Sequence, residues 1–130
     1  MILRDGALLS ASQLADAYKI GVTFAQHVRL LKVTTIPVPD HSLLREAAES
    51  THLITPLTAG LTLRYGIFIR KDRWEDRCLV FHELVHTYQY ERLGGVQPFL
   101  ERYLYECLAI GYPEAPLEQE AIQMTEEWCV

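Results

Sequence analysis

The 130-residue chain predicts an α+β domain, mostly helical, with a small β-hairpin or sheet just ahead of a central helix. Three observations carry this. Apolar residues recur at helical spacing over 10–31 and 98–110. Over 58–70 the composition turns to β-branched, aromatic and aliphatic residues around Gly60 and Gly66. The stretch 72–95 opens on an acidic start and closes on Gly94-Gly95.

In chain order, 10–31 reads as one long amphipathic helix with a soft point at Gly21, its buried face drawn from Leu14, Tyr18, Val22, Phe24 and Val28. Pro37, Pro39 and Asp40 break the chain, and 43–49 reads as a short helix. Two short strands follow in 58–70. Asp72-Arg73-Trp74-Glu75 supplies an N-cap with a glutamate three residues later, and Gly94 a left-handed stop. Apolar residues surround this helix, which places it centrally in the fold. A third helix from Pro98 to about Ile110 packs Phe99, Leu100, Tyr103, Leu104 and Cys107, and a fourth runs from Pro116 to about Glu127.

Hydrophobic content of 49% and charged content of 22% describe an ordinary globular domain. The net charge of −5 comes from dispersed acids, and the basic residues Arg70, Lys71, Arg73 and Arg77 alternate with Asp72, Glu75 and Asp76, so nucleic-acid binding is disfavoured. The first ten residues mix charge with apolar side chains and no run reaches membrane-spanning length, so the expectation is a cytoplasmic protein without membrane attachment. Three cysteines, Cys78, Cys107 and Cys129, argue against a disulfide framework and suit a reducing compartment.

The chemistry concentrates at His82-Glu83-Leu84-Val85-His86. Four residues advance a helix by about 400°, so His82 and His86 share a face one turn apart and can close on one metal ion. Two imidazoles suit Zn²⁺ and leave room for a third protein ligand and a water, with Glu83 at the flank of that face as general base. Two histidines at this spacing are also found as core side chains of an amphipathic helix. Cys78 lies one turn before His82 and could approach a metal, although a buried structural thiol is the commoner role. His27, His41 and His52 lie outside the motif and receive no role.

No histidine follows His86, so the third ligand must be sought among Glu91, Glu101, Glu106, Glu114, Glu118, Glu120, Glu126 and Glu127. Gln89 and Arg92 stand where a metzincin would carry glycine and histidine. With Glu118-Gln119-Glu120-Ala121 the chain resembles small bacterial zincin-like domains of the gluzincin kind, which carry His-Glu-x-x-His on one helix and Glu-x-x-Ala on a later one. The resemblance covers 58–130. It implies one Zn²⁺ held by His82, His86 and Glu118, with Glu83 as base and Glu120 as the alternative third ligand. The pattern departs at Ile122, where thermolysin-like relatives place an aspartate that orients a zinc histidine, so the partner of that histidine must come from elsewhere.

This organises the chain as one domain: a helical scaffold over 1–57, a hairpin over 58–71, the metal helix over 72–95 and C-terminal helices with the third ligand over 96–130. The function expected is a zinc metallopeptidase acting on a peptide or protein. Ile67–Arg70 is the strand edge expected to align an extended substrate, and Tyr103, Tyr105 or Tyr112 is expected to stabilise the oxyanion. The rival readings are a zinc-binding module without turnover, in which the metal fastens helices together, and a metal-free helical domain.

Overall fold

A computed structural model describes residues 6–36, 58–112 and 114–129; the expected helix over 43–49, with His41 and His52, lies outside them. Helix α1 spans Ala11–Ile20. Ser10 and Gln13 cap it reciprocally, each side chain accepting from the other residue's backbone N–H. It stops at Gly21, whose φ of 115° is left-handed, and the Tyr88 ring lies 3.2 Å from where a Cβ would stand. The single helix over 10–31 is therefore corrected. After a short 3-10 turn at Ala25–His27 the chain becomes strand Arg29–Val33. Of the buried positions expected, Val22 and Val28 hold, whereas Tyr18 and Phe24 are 58% and 47% exposed.

Strands β1 (Ala7–Leu8), β2 (Arg29–Val33), β3 (Gly60–Leu63) and β4 (Gly66–Arg70) form one sheet in the order β1-β2-β4-β3. β3 and β4 are the expected hairpin, paired antiparallel with Leu63 opposite Gly66. β2 then pairs parallel with β4, Leu30 opposite Ile67. The edge assigned to Ile67–Arg70 is thus corrected: β4 is an interior strand, and its hairpin partner β3 is the edge on that side. The Arg70 N–H donates to the Ala59 carbonyl, and alternation along an antiparallel pair then points Leu61 and Leu63 at β4 and turns the backbone groups of Gly60 and Thr62 outward.

Helix α2 spans Arg77–Leu93 and is capped by Asp76, whose carboxylate accepts from the Leu79 N–H at 3.0 Å. The expected start at Asp72 is corrected as well. Lys71–Arg73 is a 3-10 turn, and Asp72 is engaged by Arg70 at 2.6 Å. The expected stop holds, with Gly94 at φ 98° and both Gly94 and Gly95 donating to the Tyr90 carbonyl. α3 (Val96–Ala109) and α4 (Pro116–Trp128) complete the chain, close to their expected bounds.

α2 is the axis of the molecule. Val80, Phe81, Leu84 and Val85 bury against Ala17 and Ile20 of α1, Leu30 of β2, Ile67 and Ile69 of β4, and Ala121 of α4. A second cluster joins Tyr90 to Phe99 and Leu100 of α3 and Leu117 of α4. α2 and α4 run antiparallel, and Cys78, exposed at the start of α2, is bonded to Cys129 at the end of α4. That disulfide corrects the expectation of unpaired cysteines and of a buried Cys78 thiol; Cys107 is the buried free thiol. Among the described residues no helix is long and apolar enough to cross a membrane.

Candidate metal centre

The first turn of α4 meets the middle of α2, with Leu117 in one buried cluster and Ala121 in the other. His82 and His86 stand one turn apart on α2, ring centroids 5.0 Å apart, and Glu118 faces them from the first turn of α4. Glu118 Oε1 lies 2.8 Å from His82 Nε2, and Oε2 lies 3.2 Å from His86 Nε2. One donor atom from each of the three residues falls within 4.8 Å of the others. A tetrahedral zinc with bonds of about 2.0–2.1 Å sets its ligands about 3.3–3.4 Å apart. The two carboxylate contacts are already close to that spacing, and the set of two imidazoles and one carboxylate suits the ion. Glu118 and His86 are buried and His82 is half-buried.

The electrostatics favour a tightly held ion pair in the metal-free protein. Burial by itself would raise the Glu118 pKa, but hydrogen bonds from His82 and His86 outweigh it and hold the carboxyl well below the usual carboxylate range. Burial likewise opposes charge on His86, yet Glu118, with a further contribution from Glu83, pushes that ring up to about 9. A proton is therefore held on the His86 ring, which a metal would have to displace.

Glu83 projects from α2 toward the sheet. Its Oε1 accepts from the Thr62 hydroxyl at 2.7 Å, and a Cβ at Gly60 would stand 3.1 Å from its Cγ and Oε2. The glycine lets the edge strand pass close to the carboxylate without displacing it. The base expected from the sequence thus rests against β3, and the residue is buried at 6% exposure.

The tyrosines fall in different places. Tyr103 donates its hydroxyl to Glu118 Oε2 at 2.8 Å. Burial first, then the Glu118 charge, raise its pKa well above the ordinary value, so it stays a neutral donor. Its ring extends a stacked series from Tyr90 through Phe99 and meets His86 edge-on. Tyr112 is 49% exposed, and its pKa is also raised, by burial and then by Glu118 and Glu83. Tyr105 is 71% exposed. Glu120, the alternative ligand, is engaged elsewhere: Arg92 grips it through two nitrogens at 2.8 and 3.0 Å, and Gln89 Nε2 donates to it at 2.8 Å. The other acids are likewise dispersed. Glu91 accepts from the Thr23 and Phe24 N–H groups and Tyr65, and Glu106 accepts from the Leu117 N–H and Arg102. Cys78 is not in the donor cluster but in the disulfide.

One buried residue escaped the sequence reading. Gln89, fully buried, places Oε1 2.8 Å from His86 Nδ1 and donates through Nε2 to the Leu117 carbonyl at 2.8 Å. The signal was there, since position 89 lies three residues beyond His86 and so on the same helical face. Comparison with protein-family models, curated proteins and solved structures gave no match for the chain.

Proposed function

We propose that the protein is a zinc-dependent metallopeptidase of the gluzincin-like kind, with His82, His86 and Glu118 as ligands and Glu83 as general base. The observation that carries this reading is the convergence of three donors within 4.8 Å beside a buried carboxylate that rests on a strand edge. Zinc, when bound, polarises a carbonyl and makes water a nucleophile at neutral pH. Everything else falls to the chain. Glu83, fixed by Thr62, receives the proton of the attacking water and returns it to the leaving amine. Tyr103 keeps Glu118 in place through its hydroxyl, and Tyr112 is the half-exposed phenol available to a developing oxyanion.

The substrate is a peptide in extended form. β3 turns the backbone groups of Gly60 and Thr62 outward; the Thr62 carbonyl is taken by the Tyr90 hydroxyl at 3.1 Å, so the rung offered to an added strand is at Gly60, directly beside Glu83. The test is hydrolysis of a mixed peptide library by the zinc-loaded protein, read by mass spectrometry, with Glu83→Gln as control. Cleavage by the parent that falls by at least about a hundredfold in the variant, with zinc retained, is the expected result. Zinc bound equally by both with no cleavage by either contradicts the peptidase reading and leaves the metal as a fastener of α2 to α4.

A further inference from the structure

The side chain of Gln89 links His86 to the backbone carbonyl of Leu117, the residue before Glu118, and its hydrogen bonds admit one assignment. Its Nε2 faces the Leu117 carbonyl and the Glu120 carboxylate, both at 2.8 Å and both acceptors, so this end is the NH₂ group with each hydrogen used. The other end is then the carbonyl oxygen, 2.8 Å from His86 Nδ1, and an acceptor there requires that Nδ1 carry a hydrogen. His86 is thereby left with Nε2 as its metal-facing nitrogen, and Nε2 is the atom that already points at Glu118.

The same amide also holds the third ligand. Both backbone groups of Leu117 are held, its carbonyl by Gln89 of α2 and its N–H by Glu106 of α3, each at 2.8 Å. Glu118 is the next residue. Glu120 is drawn away from the centre by Gln89 and Arg92 together. We propose that Gln89 is a positioning residue of the metal centre, one amide that selects the His86 nitrogen and sets the first turn of α4 so that Glu118, not Glu120, faces the histidines. This rests on the zinc reading above, and it supplies the histidine-orienting partner that Ile122 cannot.

The test compares the parent with Gln89→Met, which removes both donor and acceptor at similar volume, and Gln89→Glu, which keeps an acceptor for His86 but loses the amide donor. Zinc dissociation constants are measured by chelator competition, and the His86 ring is followed by ¹⁵N NMR with and without zinc. Zinc binding by the parent is measured first; its absence overturns the zinc reading itself and so is distinguishable from a failure at Gln89. With zinc bound by the parent, Gln89→Met is expected to weaken affinity by about 10–100-fold and to expose the His86 Nδ1–H to solvent exchange, while Gln89→Glu keeps that hydrogen protected. A Gln89→Met protein that melts lower yet binds zinc with the parent's constant shows a packing role only and overturns the proposal. If that variant does not fold, the parent's spectrum decides: a protected Nδ1–H with zinc on Nε2 supports the assignment, and zinc on Nδ1 overturns it.

Discussion

In the proposed zinc centre, His86 and Glu118 would couple metal binding to protons. In the zinc-free protein His86 is held protonated up to about pH 9, against an ordinary value of 6.5, so below that pH zinc must displace its proton. Apparent zinc affinity should therefore rise by about tenfold per pH unit up to about 9 and flatten above it; competition titrations at several pH values check this, and a flat profile contradicts it. The same shifts govern stability of the zinc-free form. His86 has a raised pKa, so its contribution is complete below about 6.5 and is lost as pH rises through about 9. Glu118 has a lowered pKa, so its contribution is complete above 4.5 and is lost as the pH falls toward its folded value. The zinc-free protein should be most stable between those limits, near pH 4.5–6.5. The shared face of His82 and His86 was legible from spacing alone, because helix geometry is local. Glu118 was legible only as one of two acids. What separates it from Glu120 is a network through Gln89, Arg92 and Glu106 that joins three helices, and no spacing within one helix encodes that.

Secondary structure divides along the same line. The hairpin, the Gly94 stop and the two C-terminal helices follow from turn and cap residues close in sequence. The end of α1, the strand at Arg29–Val33 and the identity of the edge do not. They are decided by the parallel pairing of β2 with β4, a contact between segments more than thirty residues apart, which converts a helical-looking stretch into a strand and moves the edge from β4 to β3. The corrected edge gives a sharper prediction than the expected one, because β3 touches Glu83, the proposed base. Gly60→Ala sets a Cβ 3.1 Å from Glu83 Cγ and Oε2, and the carboxylate must yield by a few tenths of an ångström. Peptide turnover should fall by about tenfold while zinc stoichiometry is unchanged. Unchanged turnover would mean that the position of Glu83 against β3 is immaterial to the reaction.

Over the whole molecule, α2 and α4 are joined at two points. Glu118, bonded to His82, and Gln89, bonded to the Leu117 carbonyl, close the end near Leu117, and the Cys78–Cys129 disulfide closes the other. Pairing across 51 residues removes entropy from the unfolded chain worth about 4 kcal/mol as an upper figure. Replacing both cysteines by serine should lower stability by about 2–4 kcal/mol in denaturant titrations, and reduction of the parent should match it. No change on reduction would show that the bond contributes nothing to the fold. Odd cysteine number hid this pairing from the sequence, since the partners meet only when two helices pack antiparallel. Because the ligands remain tied by Glu118 and Gln89, zinc binding should survive the loss of the disulfide, and it is zinc that the proposed activity stands on. The decisive experiment is elemental mass spectrometry of the purified protein beside His86→Ala, Glu118→Gln and Glu120→Gln. About one zinc per chain in the parent and in Glu120→Gln, lost from His86→Ala and Glu118→Gln, is the expected pattern. No zinc in the parent after reconstitution, or zinc that persists without His86 and Glu118, would contradict the metal centre described.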